Sequence, residues 1–116
     1  MTVLLVVLGA AVGAPARYVV DKAVTARVAA GFPWGTLVVN LTGCLLLGLV
    51  SGATLPAGAV ALLGTGFCGA YTTYSTFGYE AVSLAERARR RAALTYVLAS
   101  VVGGVALAAT GYALTS

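Results

Sequence analysis

From Tyr71 to Phe77 the chain reads Tyr71-Thr72-Thr73-Tyr74-Ser75-Thr76-Phe77, mixing hydroxyl side chains with three aromatic rings and no charge. Hydroxyls donate and accept hydrogen bonds, and aromatic ring edges are positive. Acid–base, metal and covalent chemistry find little support. The chain has no His, its acids are Asp21, Glu80 and Glu86, and Cys44 and Cys68 stand far apart in sequence. The cysteines read as small buried apolar residues. No enzyme motif is present, so the cluster points to binding or conduction.

The segments around the cluster define its surroundings. The 116 residues are 60% hydrophobic and 9% charged, with a mean hydropathy of +1.00. A soluble domain carries about 25% charged residues. Every charge lies within Arg17–Arg27 or Glu80–Arg91, and residues 28–79 carry none. The chain is therefore expected to be an integral protein of a lipid bilayer. Lipid satisfies no stray polar group, so the cluster must be buried in protein or line a watery path. With Gly64, Gly66 and Gly69 just before it, it predicts a helix interrupted near mid-membrane.

A membrane helix needs about 20 mostly apolar residues. Four fit: helix 1 at 2–22, helix 2 at 34–51, helix 3 at 57–85 and helix 4 at 92–114. Together they form one all-α transmembrane domain over 1–116. Pro33 and Trp34 suit the start of helix 2, and Ser51–Pro56 a tight turn. Helix 3 exceeds one span, as two half-helices flanking a break would. Residues 3–12 resemble the apolar part of a secretory signal, but no positive side chain precedes Arg17, which argues against one.

In a four-helix chain, the 1–2 and 3–4 connections share one side. They and their flanks hold Lys22, Arg27, Arg87, Arg89, Arg90 and Arg91, while the other side has no Lys or Arg. The positive-inside rule then predicts both basic loops cytoplasmic in a cell membrane and both termini outside. Topology accounts for the positive charge, so nucleic-acid binding is not expected.

Small residues recur on helix faces: Gly9 and Gly13 ahead of Arg17 and Asp21, Gly48 and Gly52 after Asn40 and Cys44, and Gly104 and Ala108 after Tyr96 and Ser100. Four-residue spacing of small residues allows close helix packing. Asn40, Tyr96 and Ser100 bring polar groups to such faces, as interhelical ties or as pathway lining. Four short helices enclose little, so an oligomer is expected. Pumps and coupled transporters generally need a titratable group within the span. Helices 1, 2 and 4 have no carboxylate deep in the membrane. Glu80 lies about one turn past the break, where a vestibule or packing role is expected, so a passive channel is favoured.

These residues suggest a family. Gly66-Phe67-Cys68-Gly69-Ala70-Tyr71-Thr72-Thr73-Tyr74-Ser75-Thr76-Phe77 resembles the helix-3 signature of the Fluc (CrcB) fluoride channels. Gly13-Ala14-Pro15-Ala16-Arg17-Tyr18 and Gly35-Thr36-Leu37-Val38-Val39-Asn40-Leu41-Thr42-Gly43 match in order, as do Tyr96 and Ser100. The resemblance covers essentially the whole chain. It implies an antiparallel dual-pore dimer that conducts fluoride passively, lowers its toxicity and confers fluoride resistance. A structural, untransported sodium ion (Na+) would be held by the main-chain carbonyls of Gly69 and Thr72. The implied pore-lining residues are Asn40, Tyr74, Thr76, Phe77, Tyr96 and Ser100. Arg17 would be a structural or vestibule charge, or an anchor paired with Asp21.

Three departures from the family pattern stand out. Tyr74 replaces a usual phenylalanine, Gly104 a frequent serine, and the six-to-none loop charge bias opposes insertion in both orientations. The bias predicts pairing with an opposite-orientation homologue rather than a homodimer. Two other classes compete: a non-conducting partner subunit of a heterodimeric channel, and a small multidrug-type transporter. The transporter should carry a carboxylate in helix 1, which has none before Asp21.

Overall fold

The computed structural model describes residues 1–28, 32–72 and 75–116, with Ser75 described as backbone only. Helix α1 (Thr2–Thr25) runs through Pro15 without stopping. The proline lacks an N–H, a loss that membrane helices tolerate. The Ala26 and Arg27 N–H groups close α1 on the carbonyls of Lys22 and Val24, both at 3.0 Å. Helix α2 (Trp34–Gly52) follows a tight turn in which the Trp34 N–H bonds the Phe32 carbonyl at 2.9 Å. Both helices outlast their sequence-based bounds by a few residues at most.

The third segment is not one regular helix. Its first half, α3, spans 57–71 and combines α-helical Ala57–Val60, π-helical Ala61–Cys68 and α-helical Gly69–Tyr71. The chain turns extended at Thr72, with φ −83° and ψ 163°. Helix resumes as α4 (Ser75–Glu86), and α5 (Arg90–Thr115) completes the chain. The expected break is therefore present, beginning at Thr72. The eight-residue π-helical stretch was not expected. Such geometry is rare and frequently lies at functional sites.

The fold is all-helical, and the described residues form no strand. Three helices, α1, α2 and α5, are long and apolar enough to cross a membrane. Their outward faces carry large apolar side chains, among them Val3, Val7, Val12, Val102, Val105 and Leu114, each more than half exposed. Lipid, not water, is the solvent that such faces need, and the chain is a membrane protein. The interrupted third segment is the fourth helix of the fold.

Glycines join the helices in two pairs, α1 with α3 and α2 with α5. A Cβ on Gly66 would lie 2.6 Å from the Val6 carbonyl oxygen and 3.0 Å from Gly9 Cα. Likewise, a Cβ on Gly111 would lie 2.6 Å from the Leu45 carbonyl oxygen. Apolar lipid supplies no hydrophobic drive between helices, so close backbone contact of this kind is what holds them. The packing expected of the Gly9/Gly13 and Gly48/Gly104 faces is thus present.

Contacts also sort the two ends. Asp21 lies against Gly35, Thr36 bonds Glu80 and Phe32 meets Tyr96, so both basic connections lie at one end. At the other end Gly52 packs on Tyr112 and Thr115, and Gly58 on Leu5. Between α4 and α5, Ala88 adopts a left-handed φ of 59°. The Arg89 N–H then caps the Leu84 carbonyl at 3.0 Å, as in a Schellman-type ending usually built on glycine.

Candidate ion path

Residues of α2, α3, α4 and α5 line a cleft of about 660 Å³. Asn40 and Cys44 of α2, Gly69 and Thr72 of α3, Phe77 of α4 and Ser100 of α5 line it. Thus three residues implied as pore-lining and both implied carbonyl donors share one surface. Gly69 is exposed there, and a Cβ built on it would meet nothing within 4 Å.

Thr72 ends α3, and its N–H and Oγ1 both bond the Cys68 carbonyl, at 3.0 and 2.8 Å. Its hydroxyl proton is therefore committed, and Thr72 offers the cleft no hydroxyl donor. Carbonyls in the last turn of a helix lack the next turn's N–H groups. Such oxygens suit a hard cation. That donor type fits sodium.

Tyr71 fixes the break from behind. Its ring stacks on Phe67, with centroids 5.4 Å apart and planes 15° apart. Its hydroxyl lies 2.9 Å from Thr42 Oγ1, which donates to the Val38 carbonyl at 2.8 Å. Thr42 has one proton, so Tyr71 is the donor. Gly43 makes room for this contact, since a Cβ there would run into Thr72 and Tyr71.

Beside the cleft lies a second polar group. Tyr96 is fully buried, with Phe77 at 5.2 Å and Phe32 at 5.7 Å between ring centroids. Thr36, 5% exposed, donates its hydroxyl to Glu80 Oε1 at 2.5 Å. Tyr96 Oη and Ser100 Oγ are both buried without a hydrogen-bond partner among the described residues. Buried polar groups are nearly always satisfied, and exceptions often mark a missing water or ion.

The remaining expected residues lie elsewhere. Thr76 is exposed and outside the cleft lining, and Tyr74 lies outside the described residues. Arg17 is half-buried on α1. Asp21 does not pair with it but accepts from Thr25 at 3.3 Å. Sequence reasoning gave no role to Thr36 or Phe32. Thr36 precedes Asn40 by four residues, one turn on the same face, but its role rests on the contact with Glu80 from another helix.

Residues 4–112 match the family described as CrcB-like protein, Camphor Resistance (CrcB). The chain is 52% identical to "Fluoride-specific ion channel FluC 2" of Rhodococcus jostii (strain RHA1), covering the whole of both chains. It is 51% identical to "Fluoride-specific ion channel FluC 1" of Streptomyces avermitilis, over 96% of this chain and 93% of that one. A third relative, "Fluoride-specific ion channel FluC 1" of Thermobifida fusca (strain YX), is 48% identical over 97% and 94%. The chain belongs to the CrcB family, whose members are ion channels and not enzymes.

Proposed function

We propose that this chain forms a fluoride-selective passive channel that lets cytoplasmic fluoride leave the cell down its gradient. The observation that carries the proposal is a pair of buried hydroxyls, Tyr96 Oη and Ser100 Oγ, with no hydrogen-bond partner among the described residues. Ser100 lines the cleft with Asn40 and Phe77, and the Phe77 ring lies against Tyr96. Fluoride is small and binds water tightly, so a path for it must replace water with hydrogen-bond donors. Asn40, Tyr96 and Ser100 supply them, and the Phe77 ring offers a positive edge. Thr76 lies outside this chain's cleft; it and Tyr74 join the proposed lining when a second chain contributes its residues.

A single chain leaves the cleft open on one side. In this proposal an antiparallel second chain closes it, giving two pores, and a sodium ion on the axis is held by Gly69 and Thr72 carbonyls. The open space at Gly69 supports that arrangement. Sodium pins the chains together and is not transported. The six-to-none loop bias favours an opposite-orientation homologue as the partner, with this chain's basic loops cytoplasmic. Glu80 and Arg17 flank the path as structural or vestibule charges.

Liposomes loaded with sodium fluoride or sodium chloride test the proposal. Fluoride efflux without chloride efflux is expected once the chain and an opposite-orientation homologue are reconstituted together. Equal release of both ions would contradict it. Selective efflux from this chain alone would keep the channel and overturn the mixed pair.

A further inference from the structure

We infer that Phe32 is a positioning residue for this path, locked by Pro33 and acting through the ring of Tyr96. The proposal rests on the channel function above. Pro33 has φ −81° and ψ 64°, and the Trp34 N–H bonds the Phe32 carbonyl at 2.9 Å. These are the features of an inverse γ-turn, and proline fixes the required φ in advance. The turn joins directly to α2, so Phe32 is held rigidly relative to the helix that carries Thr36 and Asn40.

The locked side chain points inward. Phe32 packs against the buried cluster of Leu37, Leu84, Ala93 and Tyr96, although it lies outside the predicted helices. Its ring plane stands 89° from that of Tyr96 at 5.7 Å, an edge-to-face pairing preferred by aromatic rings. Trp34 braces it at 4.7 Å and 46°. Phe77 contacts Tyr96 at 5.2 Å. Tyr96 thus has one aromatic neighbour that lines the cleft and another supplied by the basic-end connection. Among the described residues no hydrogen bond orients the Tyr96 hydroxyl, so its position rests on ring packing, and Phe32 is part of that packing.

Two substitutions separate aiming from mere filling. Phe32→Leu keeps apolar volume and removes the ring; Phe32→Tyr keeps the ring. Tyrosine labelled with ¹³C at Cζ reports the Tyr96 phenol, its resonance assigned by its loss in Tyr96→Phe. Phe32→Leu is expected to shift that resonance and to lower fluoride efflux about tenfold, the scale of one misplaced hydrogen bond to an ion. Phe32→Tyr should restore both. In the Tyr96→Phe background, Phe32→Leu should lower flux by much less than it does alone. An unshifted Tyr96 resonance in Phe32→Leu, or full additivity with Tyr96→Phe, would overturn the inference. The unsubstituted channel's own fluoride efflux tests the underlying function separately, and the resonance reads Phe32 even where flux is absent.

Discussion

Gly66 and Gly69 are three residues apart in α3 and meet opposite surroundings. A Cβ on Gly66 would run into the backbone of α1, 2.6 Å from the Val6 carbonyl oxygen, whereas one on Gly69 would meet nothing within 4 Å. Gly66 closes a contact inside the chain; Gly69 keeps open a surface that faces outward. The same contrast separates the glycine-sealed α1–α3 and α2–α5 pairs from the cleft between α2, α3 and α5. Small residues in a membrane helix therefore have two uses, and only the surroundings tell them apart.

The largest expected effect comes from filling the sealed side. Gly66→Leu would force backbone apart, and overpacking of a tight interior costs about 1–3 kcal/mol or more. Loss of monodisperse protein, or a sharply lower unfolding midpoint in detergent, is expected. A midpoint equal to the parent's would mean that α1 and α3 are not packed this closely.

Removing a polar group from the open side should do the reverse. Among the described residues Ser100 Oγ is buried without a partner, so Ser100→Ala breaks no hydrogen bond that they make. Its unfolding midpoint should stay level or rise, because an unsatisfied buried hydroxyl costs about 1–3 kcal/mol. Fluoride efflux should fall about tenfold, the value of roughly one hydrogen bond to an ion. A drop in stability with unchanged efflux would make Ser100 a packing residue.

Gly69→Ala sharpens the comparison with Gly66. The new methyl fits the single chain, and replacing a helical glycine gains roughly 0.5–1 kcal/mol. Association between chains, read by cross-linking in membranes, should weaken, and efflux should become more dependent on sodium concentration. Unchanged association would remove Gly69 from the interface.

The smallest effect lies away from both surfaces. Ala88 holds a left-handed φ of 59°, a strain of about 1–3 kcal/mol for a residue with a side chain. Ala88→Gly should raise the unfolding midpoint slightly and leave efflux unchanged. It calibrates how far stability alone moves flux.

Much of this was legible in the sequence. Apolar runs of membrane length gave the helices, because lipid admits few alternatives. The hydroxyl and aromatic cluster from Tyr71 to Phe77 marked the break, since such a segment cannot continue plainly through lipid. Asn40 and Ser100 stood out as polar residues in small-residue faces, and both line the cleft. The π-helical stretch was not legible. Its altered hydrogen bonding leaves no periodic mark in eight residues that are almost all apolar or glycine. Nor were Phe32 and Thr36. One lies in a connection outside every helical pattern, and the other matters only once α4 brings Glu80 across to it. The glycine spacing suggested close packing but could not divide Gly66 from Gly69.

The proposed function requires a selective path for fluoride along the open surface. Its most direct test is parallel fluoride and chloride efflux from sodium-containing liposomes carrying this chain with an opposite-orientation homologue. Fluoride release with chloride retained is the predicted result. Equal release of the two ions, or retention of both by a correctly inserted pair, would contradict it.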